Sequence, residues 1–436
     1  MTASTSTDGT GTRTRWDAET IVFAGATTVA LVHALDDAFL NRQPGVEIGQ
    51  HALAAVIALV VGVGAVLVFR RLRPGIRAAV AVVFGILAIV NGALHIAHVA
   101  GIGAAASDYT GVLAVAAGVV LVALGLSIPF RHRGEGAATR GRRWAYRAVA
   151  LVAGVLLLYV VVFPVGGAIV QTHKYREAIG EPPRSAYEPV TLESSDGLRL
   201  SGWYIPSRNR AAIVVVHGGG GDRTGSVRHA ELLARHGYGV LLYDSRGRGE
   251  SEGSPVSFGW GWAKDVAGAL AFLRERPDVD PDRIGGLGLS TGADVLIEVA
   301  ATRRELKAVV SDGATAGSFA DYRNVMGLDE GAPFYWTLYT AARILSGASP
   351  GEPLEELVAE ISPTPLYLIA TGGSLPVEID ANRVYAAAAR EPFEYWELPD
   401  VGHTAALRER PAEYERRVVG FFDAALKVDG RAPIAG

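Results

Sequence analysis

A serine stands between two glycines in the run Gly288-Leu289-Ser290-Thr291-Gly292. An apolar stretch, 284–289, precedes it, and a helical stretch, 291–303, follows. A strand-to-helix turn of this kind lifts a serine hydroxyl to the edge of a sheet, and the flanking glycines leave room where a Cβ would crowd. The spacing nominates Ser290 as a nucleophile for acyl transfer. That chemistry needs a base, an acid behind the base, and N–H donors for an oxyanion. His403, in Asp400-Val401-Gly402-His403-Thr404, is the one histidine placed in a loop after the last strand. The chain order serine, acid, histidine suits a hydrolase built on a parallel sheet. One oxyanion donor is expected from the N–H of Thr291. The other is expected from Gly218 or Gly219, in His217-Gly218-Gly219-Gly220-Gly221 after the apolar strand 212–216. His217 reads as a structural residue of that loop. A phosphate-binding loop is the rival reading of these glycines, but the lysine of such a loop is absent.

The acid should follow the strand 365–370. The loop there reads Thr371-Gly372-Gly373-Ser374-Leu375-Pro376-Val377-Glu378-Ile379-Asp380, with no early aspartate. Asp380 reads as the cap of a helix over 381–389, which leaves Glu378 as the choice. Asp312, after the preceding strand, is the third candidate. Asp244, in Tyr243-Asp244-Ser245-Arg246-Gly247-Arg248-Gly249-Glu250-Ser251, is expected to hold a glycine-rich turn and not to serve as the acid.

Positioning such residues takes a sheet. The strand 189–193 and its partner 198–204 flank the hairpin turn Asp196-Gly197. Strands at 212–216, 239–243, 284–289 and 308–310 are apolar throughout, as buried parallel strands are. Helical runs at 225–236, 260–274 and 291–303 separate them, and two further strands follow at 365–370 and 393–398. Alternation of this kind predicts a mostly parallel sheet flanked by helices, with right-handed crossovers. The interval 315–362 breaks it with the aromatic helical stretch Phe334, Tyr335, Trp336, Leu338 and Tyr339. We expect a helical lid there, over the carboxyl edge of the sheet.

The runs at 217–221, 243–251, 288–292 and 402–404, together with Ser195-Asp196-Gly197-Leu198 and Gly202-Trp203-Tyr204-Ile205-Pro206, resemble the serine aminopeptidase-like α/β hydrolases. The likeness is to the membrane-anchored branch and covers about 187–425. It implies an α/β-hydrolase fold and a Ser-His-acid hydrolase of an ester, thioester or amide, with no cofactor. Two departures stand out. Ala293 occupies the place of a second glycine after the elbow, and the acid loop lacks its aspartate. They motivate an alternative, a catalytically weak or inactive domain serving as a sensor or partner module.

Before residue 173 the chain is of another kind. Apolar runs at 21–35, 51–69, 76–96, 109–128 and 146–170 approach or exceed the roughly 20 residues that cross a bilayer. Arginines cluster in alternate loops: Arg70, Arg71, Arg73 and Arg77 in one, and Arg131, Arg133, Arg140, Arg142 and Arg143 in another. The intervening loops, 36–50 and 97–108, hold only Arg42, and the tail adds Arg13 and Arg15. Basic loops stay in the cytoplasm. Five spans with a cytoplasmic N-terminus then place everything after residue 172 outside, in a multi-pass protein of the cell membrane. His33, Asp36, Asp37, His51, His95 and His98 all map to the outer ends of the first three spans. They read as a hydrogen-bonded polar cluster, with a metal or proton-relay site as the alternative.

The organisation expected is a disordered tail (1–18), a membrane domain of about five helices (19–172), a linker (173–186) and an α/β-hydrolase domain (187–428, lid 315–362). The chain has 436 residues, a net charge of −4 and no cysteine. The charge argues against nucleic-acid binding; the missing cysteines exclude disulfides and a thiol nucleophile. The expected partners are a small-molecule or lipid-like acyl substrate and the bilayer, with no metal.

Overall fold

The computed structural model describes residues 16–428 apart from 43, 103–105, 133–139, 174, 175, 177 and 185. The tail up to residue 15, with Arg13 and Arg15, lies outside the described residues, as do Arg133 and the side chains of His98, Arg140, Arg142 and Arg143.

Six helices come first among the described residues: α1 (Ala18–Leu35), α2 (Ile48–Phe69), α3 (Pro74–Ile102), α4 (Ala106–Arg131), α5 (Arg140–Leu157) and α6 (Phe163–Thr172). One wide turn, Leu158–Val162, joins α5 to α6 as a single rod. Among the described residues five segments are, by length and composition, candidate membrane spans: Ala18–Leu40, Ile48–Phe69, Pro74–Ile96, Asp108–Arg131 and Arg147–Thr172. Helix α1 starts on the cap Asp17, whose carboxylate accepts the N–H of Thr20 at 2.7 Å. The first candidate span is longer than the run 21–35, because the helix continues through a wide turn at Asp36–Leu40.

Helices α3 and α4 meet along a seam of small residues. A Cβ on Gly85 would stand 2.7 Å from the carbonyl of Gly118, and one on Gly92 would stand 2.4 Å from that of Gly111. Gly125 meets the carbonyl of Ala78 in the same way, at 2.7 Å. The partners recur every seventh residue on both helices, so one face of each carries the approach. Backbones come this close only where side chains are absent.

The polar residues of the first span do meet others. Asp36 accepts from the Thr110 hydroxyl at 2.7 Å, and His33 Nδ1 lies 3.1 Å from that same hydroxyl. His95 Nδ1 is 3.1 Å from Asp108, and the His33 and His95 rings stand edge to face at 4.6 Å. His51 does not join this cluster. It turns to the carbonyl of Leu345, in the C-terminal region, at 3.0 Å. Among the described residues no three histidine or acidic side chains converge on a point that would hold a metal.

The rest is built on one eight-stranded sheet. Its strands are β1 (Glu188–Glu193), β2 (Arg199–Ile205), β3 (Ala212–Val216), β4 (Gly239–Tyr243), β5 (Ile284–Leu289), β6 (Ala308–Asp312), β7 (Leu366–Thr371) and β8 (Phe393–Leu398). They lie in the order β1-β2-β4-β3-β5-β6-β7-β8. The hairpin β1–β2 and the β2–β4 pair are antiparallel, and all other pairs are parallel. Strands β3 to β7 are buried along their whole length, so their apolar runs are those of a sheet covered on both faces. The covering helices are α7 (Val227–Arg235), α8 (Ala263–Glu275), α9 (Thr291–Thr302), α13 (Pro376–Ala388), α14 (Ala406–Glu409) and α15 (Pro411–Ala425). Strand β6 runs to Asp312, two residues beyond the stretch 308–310, which carries Asp312 to the same edge as Ser290.

Between β6 and β7 lie α10 (Phe319–Met326), α11 (Ala332–Ser346) and α12 (Leu354–Glu360). Tyr339 of α11 packs on Phe258 and Trp260, with ring centroids 5.0 and 6.3 Å away. Ala168 of α6 belongs to the same buried cluster, so the insertion rests on the N-terminal helices as well as on the sheet. Residues 178–184 do not hang free: Ile179 packs on the core and Arg184 pairs with Glu231 at 3.0 Å.

Candidate active site

Ser290 sits between the end of β5 and the start of α9 with φ 54 and ψ −123. That is a sparsely populated conformation for a residue with a Cβ, and its cost is borne by the surrounding structure. The Ser290 N–H donates to the Asp312 carbonyl at 2.8 Å. A Cβ on Gly292 would stand 2.2 Å from the Val216 carbonyl, and one on Gly288 would stand 2.3 Å from the Gly292 carbonyl. The glycines are there because backbone fills the space. Ala293, the departure from the expected glycine, is fully buried in α9.

His403 Nε2 lies 2.8 Å from Ser290 Oγ, and His403 Nδ1 lies 2.5 Å from Glu378 Oε2. Glu378 is fully buried, and its other oxygen, Oε1, accepts the N–H and hydroxyl of Thr371 at 2.5 and 2.8 Å. The His403 N–H is fixed by Ser374 Oγ at 2.8 Å. Burial disfavours the charged ring, but the bond to Glu378 and its charge outweigh that, with Asp312 and Asp294 adding to it, and hold His403 above the usual imidazole value.

The other acid candidates fall elsewhere. Helix α13 begins at Pro376, well before the expected 381, because proline is at home in a first helical turn. Asp380 therefore lies inside the helix, exposed, 3.6 Å from Arg383, and does not cap it. Asp312 is buried and accepts the Tyr414 hydroxyl at 3.0 Å. Burial pushes its carboxyl up to about 7. Asp294, which sequence reasoning passed over, accepts the Thr315 N–H at 2.8 Å, and burial pushes it up to about 8. Asp244 accepts from the backbone of Arg223 and of Glu250 and pairs with the Arg223 guanidinium, so it holds the 244–250 turn.

The glycine loop after β3 lies against the nucleophile. A Cβ on Gly218 would stand 3.3 Å from Ser290 Cβ. One on Gly219 would stand 1.9 Å from the Ser257 carbonyl and 2.6 Å from Thr291 Oγ1. Thr291 is the first residue of α9, where backbone N–H groups have no helical acceptor. Its hydroxyl donates to the Ser257 carbonyl at 3.1 Å. His217 is structural: Nε2 accepts the Ser245 N–H at 3.0 Å, Nδ1 lies 2.8 Å from the Gly218 carbonyl, and burial holds the ring down at about 4.

Doubly flanked parallel sheet, positive-φ serine at a strand-to-helix turn, and histidine after the last strand together define an α/β hydrolase. Comparison with known proteins gives these likenesses. A family model for X-Pro dipeptidyl-peptidases (S15 family) matches residues 159–359. An uncharacterized protein of Escherichia coli K12, YfhR, is 30% identical over 256 residues, which is 57% of this chain and 84% of that protein. An uncharacterized Mycobacterium tuberculosis H37Rv protein, Rv2307c, is 33% identical over 219 residues, 49% of this chain and 71% of that one. The esterase Pf2001 of Pyrococcus furiosus is similar in structure, with a TM-score of 0.48 at 22% identity, covering 58% of this chain and 98% of that one. The chain belongs to the α/β-hydrolase superfamily, and it is a serine hydrolase.

Proposed function

We propose that this is a membrane-tethered hydrolase of an ester, thioester or amide, with its catalytic domain outside the cytoplasm. The observation that carries the reading is the continuous hydrogen-bonded chain Ser290–His403–Glu378. His403 takes the Ser290 proton as Oγ attacks the carbonyl carbon. Glu378 holds the imidazole tautomer that leaves Nε2 free to accept. The N–H groups of Thr291 and of Gly218 or Gly219 receive the charge that develops on the carbonyl oxygen. His403 then protonates the leaving group, and water releases the acyl-enzyme by the same route.

Helices α10 to α12 serve as the lid, joining the carboxyl edge of the sheet to the bilayer. The domains of the reading are the membrane helices up to residue 172, the connection to 186 and the hydrolase from 187 to 428. Two features support the tether and its direction. Asp17 and Glu19, at the start of α1, pair with Arg77 at the start of α3, each at 3.3 Å, so the basic loop and the N-terminus share one end. The hydrolase touches the opposite end, where the Gly253 N–H donates to the Pro44 carbonyl at 2.9 Å. A bilayer-facing lid suits a lipid-like acyl substrate.

A fluorophosphonate probe tests the reading on detergent-purified protein. Labelling should occur and should vanish in Ser290→Ala. No labelling, or labelling that persists in that variant, removes Ser290 from the mechanism.

A further inference from the structure

A cavity of about 550 Å³ lies between α1, α2, α3, α6 and the end of α11, and none of Ser290, His403 and Glu378 lines it. That is the size of a site for one small ligand, for which about 300–1,000 Å³ is usual. Its walls are apolar, with Leu31, Ala58, Phe84, Leu87 and Val165 among them. Ile57 and Val61 line it and are also exposed, by 38% and 53%. Both stand at the middle of α2, so the cavity opens past apolar side chains at the depth of the bilayer core. A hydrocarbon chain enters by such a mouth; a hydrated solute does not.

The cavity's other end is polar. Asp37, Arg42, His51, Thr172 and His173 face it. Asp37 lies 3.9 Å from His95. Arg42 donates to the carbonyls of Val46 and Phe39, at 2.8 and 3.3 Å, and pairs with no carboxylate among the described residues. His51 and His173 stand beside each other, ring centroids 6.2 Å apart. A guanidinium without a carboxylate partner, at the polar end of an apolar slot, complements an anion on a chain.

We infer that this cavity binds a single-chain amphiphile with an anionic head, the chain held between α1, α2 and α3 and the head at Arg42. The inference rests on the membrane-spanning part of the proposed function. The occupant also touches the hydrolase, because Ile344, Leu345, Ser254 and Pro255 complete the cavity wall. Ser257, close behind, receives the Thr291 hydroxyl. The site thus lies against the segment that leads to the loop beside the nucleophile.

Photo-crosslinking with a diazirine-bearing palmitic acid tests it. The full-length Ser290→Ala protein in neutral-lipid nanodiscs is the target, so that turnover plays no part. Crosslinks should map to α1, α2, α3 or α6 peptides lining the cavity. Unlabelled palmitate and lysophosphatidylglycerol should compete, which compares a free carboxylate with a lipid phosphate; a monoacylglycerol should compete about tenfold less well. Ala58→Trp, which fills the slot, should abolish the crosslink with an unchanged thermal midpoint. Arg42→Gln, which leaves the apolar walls intact, should erase the preference for anionic competitors. Crosslinks spread over the outward faces of the helices, or equal competition by the neutral lipid, overturn the inference. Fluorophosphonate labelling of the parent protein reads the hydrolase assignment separately, so either can fail alone.

Discussion

His403 is held charged more readily than a free imidazole, because Glu378 stands 2.5 Å from its Nδ1. A general base must be neutral, so kcat/KM should rise with pH and level off above the usual imidazole value of 6.5. The ion pair also stabilises the fold. Since the folded-state value is raised, that stability is present below pH 6.5 and fades as pH climbs through the raised value. Glu378→Gln separates the effects. Thr371 donates twice to Oε1, so the amide keeps its carbonyl oxygen there and turns its NH2 toward His403, selecting the wrong tautomer. The plateau should fall on the order of 10³- to 10⁴-fold, and the inflection should move to lower pH. Asp380→Asn and Asp312→Asn should each change kcat/KM by less than about tenfold, since neither side chain bonds the imidazole. A collapse in Asp312→Asn with an unaffected Glu378→Gln would reassign the acid. Ser290 and His403 are legible in the sequence because their flanking glycines and chain order leave few places for them. Glu378, in the first turn of α13, is legible only by elimination, since the segment after β7 carries no motif. Pro376 was the visible sign that α13 starts early and that Asp380 lies inside it. Ser374 and Asp294 carry no signal, because their contacts, to His403 and Thr315, join segments distant in the chain.

Elements set the tolerances within which those residues work. The strands are readable from composition because burial on both faces leaves uninterrupted apolar runs. Their ends are less so: β6 gains Ser311 and Asp312, polar residues that a hydropathy pattern discards. The α3–α4 seam is readable in hindsight from glycines and alanine seven apart, yet hydropathy alone hides it, because glycine reads as neutral. The loop after β3 has the smallest tolerance. Gly219→Ala would set a methyl within 1.9 Å of the Ser257 carbonyl, and only backbone movement relieves that. The move displaces either the oxyanion loop or Thr291. We expect acylation by the fluorophosphonate probe to slow on the order of 10²- to 10³-fold, the usual effect of losing one oxyanion donor. Circular dichroism and the thermal midpoint should change little. A midpoint that collapses along with acylation would mark Gly219 as a folding residue instead.

At the scale of the whole molecule, the hydrolase is seated on one end of the helical part. Pro44 meets Gly253, His51 meets Leu345, and Gln171 receives the Ser257 N–H at 3.0 Å. The same docking explains why the aromatic insertion faces helices as well as the sheet. It also fixes a topological consequence. If Arg70, Arg71, Arg73 and Arg77 lie in the cytoplasm, the seat and everything on it lie outside. The chain has no cysteine, so a single introduced thiol reports its own side without background. Asp282, between α8 and β5, has a side chain 88% exposed, and a Cβ at Gly75, at the start of α3, meets nothing within 4 Å. A membrane-impermeant maleimide should label Asp282→Cys in intact cells. It should label Gly75→Cys only after the membrane is opened, because that thiol sits beside the retained arginines. The reverse pattern places the serine hydrolase in the cytoplasm and overturns the proposed orientation.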